Sequence, residues 1–468
     1  MRTGLTASIA LVVLSAAMAV AVFPPFSCSL LAPFAWIPLF IALQKKSARA
    51  GFRLGVLHGL LLYAGTLNWF FQVFGAPSLV LILMLALFPG VFASCAAALS
   101  RLAISPALTA LATAVVWTGC EYYRCEWFML RFPWITPGVG LPPNLLTPVV
   151  GVYGISFLVA LAAALVAGDG RRFKAAGGLL LALLLMLNIF RPGVVKPVNP
   201  IRVGAIQTEA QDLDTNLKLS ASIPGQVDAI VWPEYALADD VRNHPEALEK
   251  IRNMMTEKGA QLLVLANPVI RPDGKSENTA LSIGRSEIFG THVKNRPVHM
   301  MNDGVPGKIA SVIPTPFGRI ATPICFDNDY ESVDRQAVRD GAEFLLVPSM
   351  DSMEWSQRQH LQHAVFVLHR AAENGRWIVV SSTSGKTQIV DPHGNVTPEV
   401  IPLMREGQLI GDIDRETHRT FYNRAGWILG PLCVFAAAAI LIGLLVRSFL
   451  DWRGHRPAPP EESAPAVV

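Results

Sequence analysis

The chain has 468 residues, 52% hydrophobic and only 16% charged, against about 25% charged in ordinary soluble domains. A net charge of +4, with no Lys/Arg-rich stripe interleaved with aromatics, sets aside a nucleic-acid partner. Six cysteines, at 28, 95, 120, 125, 325 and 433, form no CxxC or Cys/His cluster with metal spacing, so a zinc site is not expected, and no cofactor is called for elsewhere in the reading.

A membrane-crossing helix takes about 20 mostly apolar residues. Runs of that kind fall at 5–22, 30–44, 54–75, 78–100, 103–120, 144–168, 175–191 and 425–447. They predict an α-helical bundle of about eight spans, the second run being short for a span. The first run reads as a retained helix, because no clear cleavage site precedes Phe23-Pro24-Pro25-Phe26; a cleaved signal peptide is the alternative. Lys45, Lys46, Arg49 and Arg53 follow the second run and Arg101 the fourth. Arg171, Arg172 and Lys174 follow the sixth, and Arg447, Arg453 and Arg456 the eighth. Positive residues collect on the cytoplasmic side. Parity therefore places the segment 192–424 outside the cytoplasm. The loop 121–143 is rich in aromatics, Trp127 and Trp134 among them, as membrane–water interfaces are. Cys120 and Cys125 within this region read as two free thiols rather than a disulfide.

From about residue 200 the pattern becomes that of an α/β domain. Strands are expected at 201–207, 228–232, 261–266, 319–325, 343–347, 377–382 and 387–391, and helices at 244–258, 331–340 and 356–374. That order argues for a layered sandwich. The division is then a bundle over 1–192, a catalytic domain over 193–420, a last transmembrane helix over 421–450 and a disordered cytoplasmic tail over 451–468. Nothing in the sequence calls for a second subunit, so a monomer is expected.

Three residues at strand ends carry chemistry. Glu234 follows Val231-Trp232-Pro233, Lys294 lies in His292-Val293-Lys294-Asn295-Arg296, and Cys325 ends Pro323-Ile324-Cys325 before Phe326-Asp327. Taken singly, each has a bland reading: a helix-cap acid, a solvated lysine, a small core thiol. Together they are a complete set. A carboxylate takes the thiol proton, the thiolate attacks, and the ammonium with the backbone N–H of Phe326 holds the developing oxyanion. His360, His363 and His369 on the last predicted helix read as polar-face or packing residues, since no third metal ligand is evident.

Glu, Lys and Cys in this order and context resemble the triad of the nitrilase, or carbon–nitrogen hydrolase, superfamily. The resemblance extends to Gly341-Ala342-Glu343-Phe344-Leu345-Leu346-Val347, to Arg370-Ala371-Ala372-Glu373-Asn374 and to Asp391-Pro392-His393-Gly394. It implies an α-β-β-α sandwich. With the apolar runs before and after, and with Phe23-Pro24-Pro25-Phe26, Trp69, Glu126-Trp127 and Phe132-Pro133-Trp134, the whole chain resembles the bacterial apolipoprotein N-acyltransferase family.

That resemblance implies a phospholipid acyl donor, a Cys325 thioester and a diacylated prolipoprotein as acceptor, in the bacterial inner membrane with catalysis on its periplasmic side. Another amidase or transacylase of the same fold, acting on a different amine or amide, is the second reading. Trp232, Trp134, Met350 and Trp355 are the expected substrate-lining residues. Three loops depart from the family, one of them its Ser-Asn-Asp-Ala-Trp-Phe-Gly, which is here Ser349-Met350-Asp351-Ser352-Met353-Glu354-Trp355. Its Cys-Tyr-Glu is here Cys325-Phe326-Asp327, and its glutamate after the lysine falls on Asn302 or Asp303, Asp303 being the expected supporting acid.

Overall fold

The computed structural model describes residues 4–397 and 400–454; of the tail expected to be disordered over 451–468, residues 451–454 are instead helical and the rest lies outside the described residues. The apolar first part folds into α1 (Leu5–Val22), α2 (Ile37–Leu43), α3 (Ala48–Thr66), α4 (Phe70–Phe74), α5 (Ser78–Leu99), α6 (Pro106–Tyr122), α7 (Pro137–Gly140), α8 (Thr147–Ala167) and α9 (Arg171–Ile189). Local chemistry marks the starts. Ser47 caps α3 by accepting from Ala50 N at 3.2 Å, and Ser105 caps α6, with Pro106 in its first turn, by accepting from Leu108 N at 3.2 Å. Gly51, Gly55 and Gly59 of α3 stack on Ala93, Pro89 and Ala86 of α5. A Cβ at Gly55 would meet Pro89 O at 2.3 Å, so this close helix pair requires glycine.

The sandwich contains β1 (Ile201–Gln207), β2 (Ala229–Val231), β3 (Leu262–Ile270), β4 (Ser276–Ile283), β5 (Ile288–Val293), β6 (Val312–Thr315), β7 (Gly318–Ala321), β8 (Phe344–Ser349), β9 (Ile378–Ser382), β10 (Gln388–Val390) and β11 (Gly407–Ile413). Its helices are α10 (Leu213–Ala221), α11 (Pro245–Glu257), α12 (Glu331–Arg339), α13 (Gln357–Asn374) and α14 (Phe421–Arg424), before the C-terminal α15 (Leu429–Gly454). One sheet runs β11-β1-β2-β3-β4-β5 and the other β10-β9-β8-β7-β6.

Strand alternation builds three apolar layers. Phe344 and Leu346 of β8 face the other sheet, beside Val203 and Val231. Leu345 and Val347 face the α12 and α13 side. Ile206 and Ile230 face α10 and α11. Each such side chain, fully buried, stabilises the fold by roughly 1.5–3 kcal/mol. The outcome is the expected helix–sheet–sheet–helix order.

α13 is packed on both sides, against the sandwich and against the bundle. Ser356 caps its start, accepting from Arg358 N at 3.2 Å, and Gly375 ends it at φ 63° and ψ 48°, the left-handed conformation that favours glycine. Gln362 of α13 accepts from Trp69 Nε1 at 3.0 Å and donates to the carbonyls of Thr66 and Pro24, tying the domain to the mouth of the bundle.

One expectation is met in part and one is corrected. Of the about eight spans expected, five coincide with helices among the described residues that are long and apolar enough to cross a membrane: α1, α5, α8, α9 and the C-terminal helix. The second expected run is broken, its helical part α2 having seven residues, about 10 Å at 1.5 Å per residue. α3 carries Arg49 and Arg53 in its first turns, and α6 has 17 residues. The expected strand 319–325 stops at Ala321, and Cys325 instead opens a 3₁₀ turn over Cys325–Asp329.

Candidate active site

β2 ends in Trp232-Pro233-Glu234. Trp232 N still bonds Val264 O at 2.8 Å, the proline then stops the strand, and Glu234 N crosses to Ser349 O at the end of β8, 3.2 Å away. Glu234 thus bridges the ends of both sheets. Lys294 follows β5, its N–H on Asn278 O at 2.9 Å. Lys294 Nζ donates to Glu234 Oε1 at 2.8 Å and to Asp303 Oδ2 at 2.6 Å. Asn278 Nδ2 donates to the same two acids, at 2.6 Å to Glu234 and 2.9 Å to Asp303. Asp303 also accepts from Tyr235 OH at 2.8 Å and Val298 N at 2.7 Å. Between the two positions left open by the sequence, Asp303 therefore takes the lysine and Asn302 does not.

Cys325 lies beside this group, 7% exposed, while Glu234 and Lys294 are 1% exposed. Its thiol donates to Met350 O at 3.4 Å, and the buried Glu234 Oε2 has no hydrogen-bond partner among the described residues. Cys325 and Tyr235 both have positive φ, 48° and 56°. Left-handed backbone at a non-glycine residue costs energy and collects at functional sites.

Asp327, 0% exposed, holds the turn. Its Oδ2 accepts from Ile324 N at 3.1 Å and meets His292 Nε2 at 3.1 Å. Its Oδ1 accepts from Asn295 N and Arg296 N at 3.0 and 2.7 Å. One carboxylate thus ties the nucleophile's turn to the chain just after Lys294. The aspartate in the atypical Cys-Phe-Asp motif accordingly has a geometric purpose.

The charges divide unequally. Burial pushes the Glu234 carboxyl up; Lys294 opposes this and Asp303 adds to it. Burial also opposes ionisation of Asp303, but Lys294 outweighs it and holds Asp303 below the usual carboxylate range. For Lys294, burial favours the neutral amine, yet Glu234 and Asp303 together keep it well above the ordinary lysine value. Burial, then the Glu234 charge, pushes the Cys325 thiol well up. The resting site is a thiol, a lysine cation paired to Asp303, and a Glu234 carboxyl poised to exchange a proton.

Two cavities meet at Cys325. One, of about 670 Å³, brings Glu234, Tyr235, Lys294 and Asp303 together with the apolar Met301, Met350 and Trp355. The other, of about 830 Å³, is lined mostly by apolar groups from the bundle and its loop, including Trp69, Phe70, Leu85, Phe132 and Trp134, and by Met350 and Trp355. Of the expected lining residues, Trp134, Met350 and Trp355 line this space. Trp232 does not: strand alternation turns it to the opposite face, where it is fully buried under the helices with its Nε1 on Ser220 Oγ at 2.8 Å.

His363 is also corrected. It lines the apolar cavity between two acids, with Nδ1 2.8 Å from Asp351 Oδ1 and Nε2 3.4 Å from Asp329 Oδ1. Burial lowers its pKa, but the two acids outweigh burial and raise it to about 9. Asp351 is held low by that imidazolium against the effect of burial. Asp329, which burial pushes up to about 7, accepts from Trp134 Nε1 at 2.5 Å. The Trp134 ring stacks on His363, centroids 5.9 Å apart. Asn278, Tyr235, Asp329 and Asp351 had no local signal in the sequence, because each works through a partner distant in the chain. His360 turns instead to Ser352 O at 3.0 Å, and Cys120 and Cys125 are both free.

The family profile described as the apolipoprotein N-acyltransferase N-terminal domain matches residues 15–165, and the carbon-nitrogen hydrolase profile matches 202–423. The apolipoprotein N-acyltransferase of Geobacter metallireducens is 30% identical to this chain, covering 93% of it and 94% of the relative. That of Pseudomonas aeruginosa PAO1 is 30% identical, covering 89% and 93%. Among solved structures, a nitrilase-superfamily protein of Saccharomyces cerevisiae is 18% identical at a TM-score of 0.41, covering 47% of this chain and 93% of that one. An amidase from Nesterenkonia is 19% identical at a TM-score of 0.40, covering 50% and 95%.

Proposed function

The chain belongs to the apolipoprotein N-acyltransferase family, and we propose that Cys325 carries the acyl group between the two lipids of that reaction. The protein N-acylates lipoproteins, with a phospholipid as donor. Glu234 removes the Cys325 proton as sulfur attacks the donor's ester carbonyl. Lys294 and the Phe326 N–H hold the oxyanion. The tetrahedral intermediate collapses to a thioester, and Glu234 returns the proton to the departing lysophospholipid oxygen. The neutral α-amine of a diacylglyceryl-cysteine lipoprotein then attacks the thioester. Glu234 takes a proton from that nitrogen and delivers it to the Cys325 sulfur as the amide forms. Asp303 and Asn278 hold Lys294 and Glu234 in place and stay outside the proton transfers.

The observation that carries this reading is the position of Cys325, where an apolar cavity shared with the bundle meets the pocket of Glu234 and Lys294. A long acyl chain needs the first, and proton transfer needs the second. The basic connectors support a sandwich on the outer, periplasmic side of a bacterial inner membrane, between a bundle over 1–192 and a C-terminal membrane helix. Full-length protein incubated with a defined phospholipid acquires an acyl mass on the Cys325 peptide. Cys325→Ala acquires none, and the loaded wild type N-acylates a diacylated lipopeptide. An acyl adduct that survives Cys325→Ala refutes the thioester, and a loaded enzyme that spares the lipopeptide refutes the acceptor.

A further inference from the structure

The charged groups lining the apolar cavity are not equivalent. Asp351 and His363 answer each other at 2.8 Å. Arg131 lines the same wall, and its guanidinium has no hydrogen bond or ion pair among the described residues; its Nε is shielded from solvent with no partner. The backbone around it, by contrast, is held firmly. Tyr330 OH donates to Arg131 O at 3.0 Å, and Arg124 donates to the carbonyls of Phe132 and Trp134 at 2.6 and 3.1 Å. A pinned loop thus presents an unsatisfied cation to the chamber that contains the nucleophile. A half-buried guanidinium without a counter-ion is costly unless a ligand supplies one.

His299 lines the same cavity, within reach of the Arg131 charge. Burial, then the Arg131 charge, lowers its pKa, so the guanidinium field reaches it and it remains a neutral donor or acceptor. On the other side of Arg131 the loop exposes apolar groups: Met129 is 75% exposed and Trp127 42%. Such residues belong at the membrane interface, the depth at which lipid phosphates lie.

Resting on the acyl-transfer reading above, we propose that Arg131, with His299 beside it, anchors the phosphodiester of the donor lipid and so presents its ester to Cys325. Guanidinium matches phosphate oxygens in pairs. The diacylglyceryl-cysteine acceptor carries no phosphate next to its acyl chains, so the anchor selects donors and serves the first half of the reaction.

The test compares two donors on the full-length enzyme in detergent: phosphatidylglycerol and an uncharged p-nitrophenyl ester of the same fatty acid. The readout is the ratio of the two rates of Cys325 acylation. In Arg131→Gln that ratio falls about tenfold to a hundredfold, the loss of one charge-assisted hydrogen bond, and Arg131→Lys recovers part of it. An unchanged ratio overturns the proposal, whether both rates hold or both fall together as they would from a structural role. A wild type that is acylated by neither donor overturns the parent reading as well, which separates the two failures.

Discussion

Asp303→Asn is the sharpest probe of how the site divides its charge. The substitution keeps shape and removes one negative charge. Asp303 accepts four hydrogen bonds, from Lys294, Val298, Asn278 and Tyr235. An amide has one acceptor oxygen, so one side must turn an NH₂ toward donors. Lys294 keeps Glu234 as its partner, which limits the destabilisation to roughly 1–3 kcal/mol, the cost of one buried donor left unsatisfied. The electrostatic consequence is larger. Glu234 and Asp303 bind the same ammonium, so their charges lie within about 5 Å, worth roughly 3 kcal/mol at an effective dielectric near 20. Asp303 raises the Glu234 pKa and Lys294 lowers it. Removing Asp303 therefore moves Glu234 downward, toward a weaker base and a permanent partner of Lys294. The rising limb of kcat/KM against pH shifts to lower pH. The plateau falls about a hundredfold or more, comparable to losing one oxyanion donor. Acylation of the Cys325 peptide measured across pH, with a thermal melt of the same preparation, provides both numbers. A limb that stays put or moves to higher pH refutes the reasoning.

Two further changes test the apolar side. His363 is raised to about 9, so its imidazolium is present below that pH and is lost as pH rises through it. Wild-type acylation declines through about pH 9, and His363→Gln lowers the rate at neutral pH and abolishes that decline; an identical alkaline limb in the variant would show that His363 does not report there. Trp134 separates the apolar cavity from a neighbouring one of about 970 Å³. Trp134→Ala costs about 3–5 kcal/mol and joins the two, so competition among donors of different length shifts toward longer chains; unchanged preference would mean the wall lies elsewhere.

Local pattern was enough to read the buried strands. Runs such as Ile201–Gln207 and Phe344–Ser349, apolar on both faces, declare themselves without context. β4 and β5, rich in Ser, Asn, Thr and His, and β11 with two glycines did not, because their partners supply the stability that their composition lacks. Hydropathy likewise found apolar runs but not how many make continuous long helices. α2 breaks off, and α3 tolerates arginines near its start.

At the site, residue type and order alone nominated Glu234, Lys294 and Cys325 as a proton acceptor, a cation and a nucleophile, because those chemistries are properties of single side chains. Their environment is not such a property. That Asp303 rather than Asn302 holds the lysine and that Asp327 clamps the turn depend on contacts between segments far apart in the chain. So do the core position of Trp232 and the setting of His363 between two acids. A pKa, a cavity wall and an unpaired guanidinium exist only once those distant segments have packed together.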